Sequence, residues 1–196
     1  DFYGPNAVNS FPHHTVFERL RAGKTPQWLG DATKVHSFTF TPDAGKALAT
    51  LGRSDRAFGQ TWHVPTSAEV LTGEGFARLA CESAGQPYGL RVAPAWLLHA
   101  MALFNSTIRE NAEMMYQFDH DYRFDSRKIE SVSGLTATPY RSGIAATIRQ
   151  ILERCGNAAR FVLSFAREHP RSALARQIYG DSRKTERRSC QYSFVS

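Results

Sequence analysis

Phe38 and Phe40 alternate with Thr39 and Thr41, the two-residue period of a half-buried strand, and the pattern breaks at Pro42. From there Ala44, Ala47, Leu48 and Leu51 recur at helical spacing. Thr41 stands as a candidate N-cap, Pro42 at the first helical position and Asp43 beside the positive helix end. A strand therefore feeds a helix through a very tight turn. On the N-terminal side, residues 15–22 form a short amphipathic helix with Val16 and Leu20 on one side, ended by Gly23, and Trp28-Leu29 before Gly30-Asp31 reads as a strand and turn. On the C-terminal side the pattern predicts a strand over 60–64 closed by Pro65. A helix capped by Thr72 follows, with Phe76, Leu79, Ala80 and Ser83 on one face and its end at Gly85, and then a strand-like stretch over 89–93. Two helices follow over 95–104 and 106–118, then a brief extended piece at 122–125. Thr138-Pro139 opens a last helix with Tyr140, Ile144, Ile148 and either Ile151 or Leu152 at helical spacing. Residues 157–168, with Phe161, Val162 and Phe165 apolar, could form a helix. There are no internal repeats.

Strands alternating with helices make this an α/β chain. Its 196 residues, 42% hydrophobic, are enough for one real core. No apolar run reaches the length of a bilayer-spanning helix and the first residues resemble no signal or transit peptide, so the default expectation is a cytoplasmic protein with no membrane partner. Cys81, Cys155 and Cys190 are widely spaced without a Cys-x-x-Cys, which argues against a disulfide framework or a zinc site.

The net charge of +6 changes the picture only locally. Residues 1–148 hold 14 Lys and Arg against 14 Asp and Glu, whereas residues 149–196 hold 10 against 4. The body is neutral and the excess lies in the tail. Residues 181–196 are rich in Arg and Ser and show no period. Their composition resembles an out-of-frame read of a GC-rich gene, with a solvated natural extension or a nucleic-acid-binding arm as alternatives.

Three stretches, in order, carry a resemblance. The unit Phe38, Phe40, Asp43, Ala44, Ala47 is similar to the R-D-F-x-Y-V-x-D-x-A-x-A stretch of extended short-chain dehydrogenases/reductases, the NAD(P)-dependent epimerase/dehydratase family. His36 and Ser37 replace its Arg-Asp. Asp1-Phe2-Tyr3-Gly4-Pro5 resembles the family's strand end with Tyr-Gly-Pro. Asp125-Ser126-Arg127-Lys128 with Gly134, Pro139, Gly143, Ile144 and Thr147 resembles its C-terminal D-x-x-K and G-x-x-x-x-P-x-x-x-G-[IL]-x-x-T pattern. The resemblance covers residues 1–147 and only the C-terminal half of the family. It implies an incomplete domain: the C-terminal part of a Rossmann-type NAD(P)-binding fold plus a small, mostly helical substrate-binding lobe, over residues 1–154, followed by a basic tail of uncertain structure, 155–196.

The family transfers a hydride between a substrate carbon and a nicotinamide, using the Tyr and Lys of a Y-x-x-x-K motif. None of the seven tyrosines here has a lysine four residues later, and no G-x-x-G-x-x-G phosphate cradle follows a strand. Both motifs would precede Asp1, so the sequence reads as the later part of a longer chain. This chain contains no catalytic residue of that reaction and is expected to be inactive alone, with NAD or NADP held through the absent N-terminal half. By resemblance Phe2, Tyr3, Gly4 and Pro5 line the nicotinamide end of the cleft; a buried strand followed by a turn is the alternative. Asn6, Asn9 and His36 are the substrate-side candidates, although loop polarity accounts for the two asparagines equally well. The partner implied is a small hydroxy/carbonyl or sugar-like molecule. The stretch Tyr116-Gln117-Phe118-Asp119-His120-Asp121-Tyr122 lacks the Arg-x-Gly-Asp element of nucleotide-sugar members, which argues against a diphosphate-sugar substrate. A homodimer is compatible with the intact protein, its dimer helices lying in the absent half.

Asp119, Asp121 and Asp125 with His120 are too close in sequence to converge on one ion, so no metal is expected. Asp125 and Lys128 read as a local cap and surface pair, Trp28 and Trp62 as core or hairpin packing. From other function classes, a noncatalytic binding or regulatory module of the same fold and, further off, nucleic-acid binding through the basic tail compete with the enzyme reading.

Overall fold

The computed structural model describes residues 1–93 and 116–168, from residue 155 onward as backbone. The helix expected over 95–104, nearly all of that over 106–118 and the end of the basic tail lie outside the described residues. A first compact unit runs from Asp1 to Ile151, and a second begins at Leu152.

Two short parallel pairs organise the first unit. Strand β1 (Phe2–Tyr3) lies beside β3 (Thr39–Phe40) with Phe2 opposite Thr39 and Tyr3 opposite Phe40. Strand β2 (Gln27–Leu29) lies beside β4 (Arg91–Ala93) with Trp28 opposite Val92. Parallel pairing demands a crossover, and between β1 and β3 the chain supplies it with a widened π turn, His13–Phe17, that runs into α1 (Glu18–Arg21). Val16, Phe17 and Leu20 are buried there, and Gly23, at φ +65°, ends the helix. Such an α/β arrangement with parallel strands is the one expected from the sequence.

Helix α2 (Thr41–Leu51) leaves β3 without a connecting residue. Phe40, still extended, is its N-cap, and the Thr41 hydroxyl does not cap the helix as expected: it donates to the Pro5 carbonyl at 3.2 Å. The inward stripe is also rotated from the expected one. Asp43, Ala44 and Ala47 are buried while Leu48 is 66% exposed, because the Asp43 carboxylate turns inward to accept the Thr138 N–H at 2.6 Å.

Helix α3 (Gly73–Ser83) is capped by the Thr72 hydroxyl, which accepts the Gly75 N–H at 3.1 Å, and buries Phe76, Ala77, Ala80 and Cys81. Its first residue presses on Trp28: a Cβ on Gly73 would lie 2.6 Å from Trp28 Cζ2. A four-residue helix, α4 (Tyr116–Asp119), brings Phe118 against Phe11 and Trp28. Helix α5 (Arg127–Ser133) ends at Gly134, at φ +67°. Helix α6 (Tyr140–Glu168) buries Tyr140, Ile144, Ile148 and Ile151, leaving Leu152 48% exposed, which resolves the alternative the sequence left open.

One expected element differs. Residues 60–64 form no strand, since their neighbours are side chains: Lys128 Nζ donates to the Thr61 carbonyl at 2.9 Å and Trp62 Nε1 to the Ala57 carbonyl at 3.0 Å. The helix read over 157–168 is present, and it is the continuation of α6. It runs through, because one interior glycine, Gly156, costs a helix only about 1 kcal/mol.

The core is unusually aromatic. Tyr3, Phe38, Phe76 and Tyr140 surround one another, with Tyr3–Phe76 edge-on at 5.6 Å and Phe38–Phe76 at 4.7 Å, and Trp28 joins through Phe38. Among the described residues no helix is long and apolar enough to cross a membrane.

Candidate functional site

Strands β1 and β3 run parallel, so their carboxyl ends, Tyr3 and Phe40, come out on the same edge. That edge is where open α/β sheets bind ligands, because backbone groups there are not consumed by the next strand pair. Gly4 turns the chain off β1 at φ +136°, a backbone that a side chain rarely adopts, and a Cβ on it would collide with the Thr41 hydroxyl and the Phe40 ring. Pro5 is then tied to the start of α2 through Thr41. Asn6 follows in the left-handed region at φ +66°, which its short amide side chain tolerates. Its N–H donates to Gln150 Oε1 at 3.3 Å and its Oδ1 accepts from Gln150 Nε2 at 3.4 Å, so the turn is braced by α6 as well. Hydrogen bonds from Ala7 N–H to Gly4 and from Val8 N–H to Asn6 close the loop.

Of the residues expected at the nicotinamide end, Phe2 is 46% exposed, Tyr3 is fully buried, Gly4 is buried and Pro5 half-buried. Burial holds the Tyr3 phenol far above its ordinary pKa, and its hydroxyl has no hydrogen-bond partner among the described residues, so it stays neutral. The exposed surface at this end is thus the Phe2 ring, Pro5 and the backbone of the turn, with the Tyr3 hydroxyl buried behind it. Asn6 and Asn9 are exposed beyond it.

His36 is elsewhere. It is 2% exposed, its ring stacked on Phe118 at 5.0 Å and Tyr122 at 5.5 Å, with Nδ1 3.1 Å from the Gln117 carbonyl. Thr41 and Gln150 are the two site residues the sequence reading missed. Thr41 carried a signal that pointed to a cap, and Gln150, a polar residue between Ile148 and Ile151, carried none.

An opening of about 670 Å³ among the described residues is lined by Thr61, His63, Asp125, Arg127, Lys128 and Ser131, and includes none of the residues above. It corrects the surface pair. Asp125 binds Arg127, which holds its carboxyl down at about 2, while Lys128 lies 4.2 Å over the half-buried Trp62 ring. Trp62 is thus a surface platform, whereas Trp28, 1% exposed, is core. Asp121 is engaged with the Val35 N–H at 2.9 Å.

No protein-family model matches this sequence, and no curated protein matches it. Solved structures do. The epimerase Mth375 of Methanothermobacter thermautotrophicus is 15% identical at a TM-score of 0.62, covering 82% of this chain and 43% of its own. UDP-glucuronic acid 4-epimerase of Bacillus cereus, in complex with NAD, is 12% identical at 0.57, covering 78% of this chain and 42% of its own. The RMD protein of Pseudomonas aeruginosa, complexed with NADPH, is 13% identical at 0.55, covering 79% and 46%. At such identities the likeness establishes the fold: this chain has the Rossmann-like α/β fold of NAD-dependent epimerases and dehydratases, and it spans less than half of their length. These are proteins of the family that the sequence motifs resemble.

Proposed function

We propose that this chain is the substrate-side, C-terminal half of an NAD(P)-dependent epimerase, dehydratase or reductase. The observation that carries the reading is the coincidence of three sequence motifs with a fold shared, over four-fifths of the chain, with enzymes crystallised with NAD or NADPH. The nicotinamide would supply a hydride acceptor or donor. Phe2, Gly4 and Pro5 would form one wall at its ring end, Phe2 by its exposed ring and Gly4 by letting the backbone turn away. Asn6, held by Gln150, and Asn9 would face a small hydroxy/carbonyl or sugar-like substrate. The residues present fit that end only: there is no glycine-rich phosphate loop and no Tyr-x-x-x-Lys pair in the sequence.

Among the described residues the parallel pair β1–β3 is two strands wide and the Phe2 N–H turns back to Asp1 Oδ1 at 2.8 Å, whereas parallel sheets are ordinarily covered on both faces and extended; a longer sheet in the intact protein is in keeping with this. The test has two parts. The gene is sequenced upstream of the Asp1 codon, where an in-frame G-x-x-G-x-x-G and Y-x-x-x-K are expected; a start codon directly before Asp1 would overturn the proposal. The 196-residue chain is also melted with and without NAD and NADP. No shift is expected, and a cofactor-dependent shift of this chain alone would overturn the assignment of the dinucleotide to the absent half.

A further inference from the structure

We propose that His36 is an acid-sensitive latch holding the segment from Tyr116 to Phe124 against the segment from Asp31 to Ser37. The seam between them combines ring stacking on His36 with a set of hydrogen bonds that run beside it. Asp31 N–H donates to the Phe118 carbonyl at 3.1 Å, Ser37 N–H to Tyr122 at 2.9 Å, Tyr122 N–H to Val35 at 2.8 Å and Phe124 N–H to Ser37 Oγ at 3.2 Å. The imidazole lies at the middle. It is nearly parallel to Phe118, at 6°, and 4.6 Å from Phe38.

The tautomer follows from the partner. Gln117 offers a carbonyl, which can only accept, so Nδ1 carries the proton and donates. Nε2 is then a bare lone pair, buried and without a hydrogen-bond partner among the described residues. As a neutral base it costs little there. Protonated, it becomes a charged N–H with no acceptor, the situation that buried groups avoid by shedding the proton or reaching water. The surrounding groups do not relieve it. Tyr122 presents a ring and Asp121 is engaged with Val35; on the same segment lie the half-buried Asp119 and the exposed His120. Burial accordingly pulls the His36 pKa from 6.5 to about 4.

The direction of the pH effect is set by this lowering. With the seam closed His36 stays neutral down to about 4; with it open the ring takes its proton near 6.5. The open state binds more protons between those values, so closure is favoured above 6.5 and is lost as pH falls toward 4, about tenfold per pH unit.

The experiment is amide hydrogen exchange on the full chain between pH 7 and 4.5, expressed as protection factors so that intrinsic chemistry cancels. The amides of Asp31, Ser37, Tyr122 and Phe124 should lose about 100-fold in protection, while those of Phe76 to Ala80 in α3 lose much less. In His36→Phe the loss should vanish; His36→Gln serves if the phenylalanine variant does not fold, and His120→Gln should leave the effect intact. Seam protection that is independent of pH, or that falls equally in the His36 variants, would overturn the proposal. So would a direct proton-resonance titration of His36 at its ordinary value.

Discussion

Gly143 is a position where this fold leaves no room for a methyl group. It sits in the first turn of α6, and a Cβ on it would collide with the Tyr3 hydroxyl and stand 3.0 Å from Cε2 and Cζ of that ring. The ring is not free to yield. Phe40 at 5.4 Å, Phe76 at 5.6 Å and Tyr140 at 6.0 Å hold it on three sides, and its exposure is zero. Gly143→Ala should therefore cost the ~1–3 kcal/mol of an overpacked core, less the up to ~1 kcal/mol that alanine gains over glycine in a helix. A net loss of about 1–2 kcal/mol is expected. Tyr3→Phe removes the colliding atom, and a buried hydroxyl without a partner costs rather than contributes, so that change alone should be neutral or stabilise by about 1 kcal/mol. In the double variant the alanine still touches the ring edge but not the oxygen, and the pair should show a favourable coupling of about 1 kcal/mol. Gly45→Ala, in α2 with nothing within 4 Å of its Cβ, is the control and should stabilise by about 0.5–1 kcal/mol. Urea denaturation followed by far-ultraviolet circular dichroism at constant m-value reads all four. If Gly143→Ala melts like the parent, or if Tyr3→Phe fails to soften it, the packing of Tyr3 against α6 is not as described.

Two further changes test the joints around the site. Thr72→Ala removes the acceptor of the Gly75 N–H and should lower the urea-derived stability by about 1 kcal/mol, with Thr72→Ser restoring most of it; an unchanged midpoint would contradict the cap. Asp43→Ala leaves the Thr138 N–H without its carboxylate and should cost about 1–3 kcal/mol, while Lys46→Ala, removing an exposed cation 3.6 Å away, should cost well under 1; equal losses would show that the ion pair rather than the buried hydrogen bond holds α2 to the start of α6.

The sequence by itself determined the local elements whose signals lie within a few residues: the strand and tight turn at 38–42, the Thr72 cap, the glycine ends of α1 and α3, and the aromatic and isoleucine spacing of α6. It also determined the family resemblance and the absence of a Tyr-x-x-x-Lys pair, because motifs are contiguous. Tertiary structure alone decided the rest. Leu48 faces outward because Asp43 finds Thr138 across the fold, Thr41 serves Pro5 instead of its own helix, the Thr61 carbonyl accepts from Lys128 instead of a strand partner, and His36 goes into an aromatic seam rather than toward a ligand. In each case a polar group took a partner distant in sequence, Thr138 lying 95 residues from Asp43 and Lys128 67 from Thr61. A hydrogen bond stabilises only where both ends are brought together and shielded, and periodicity records which side of an element is apolar without recording which distant donor or acceptor will meet it there.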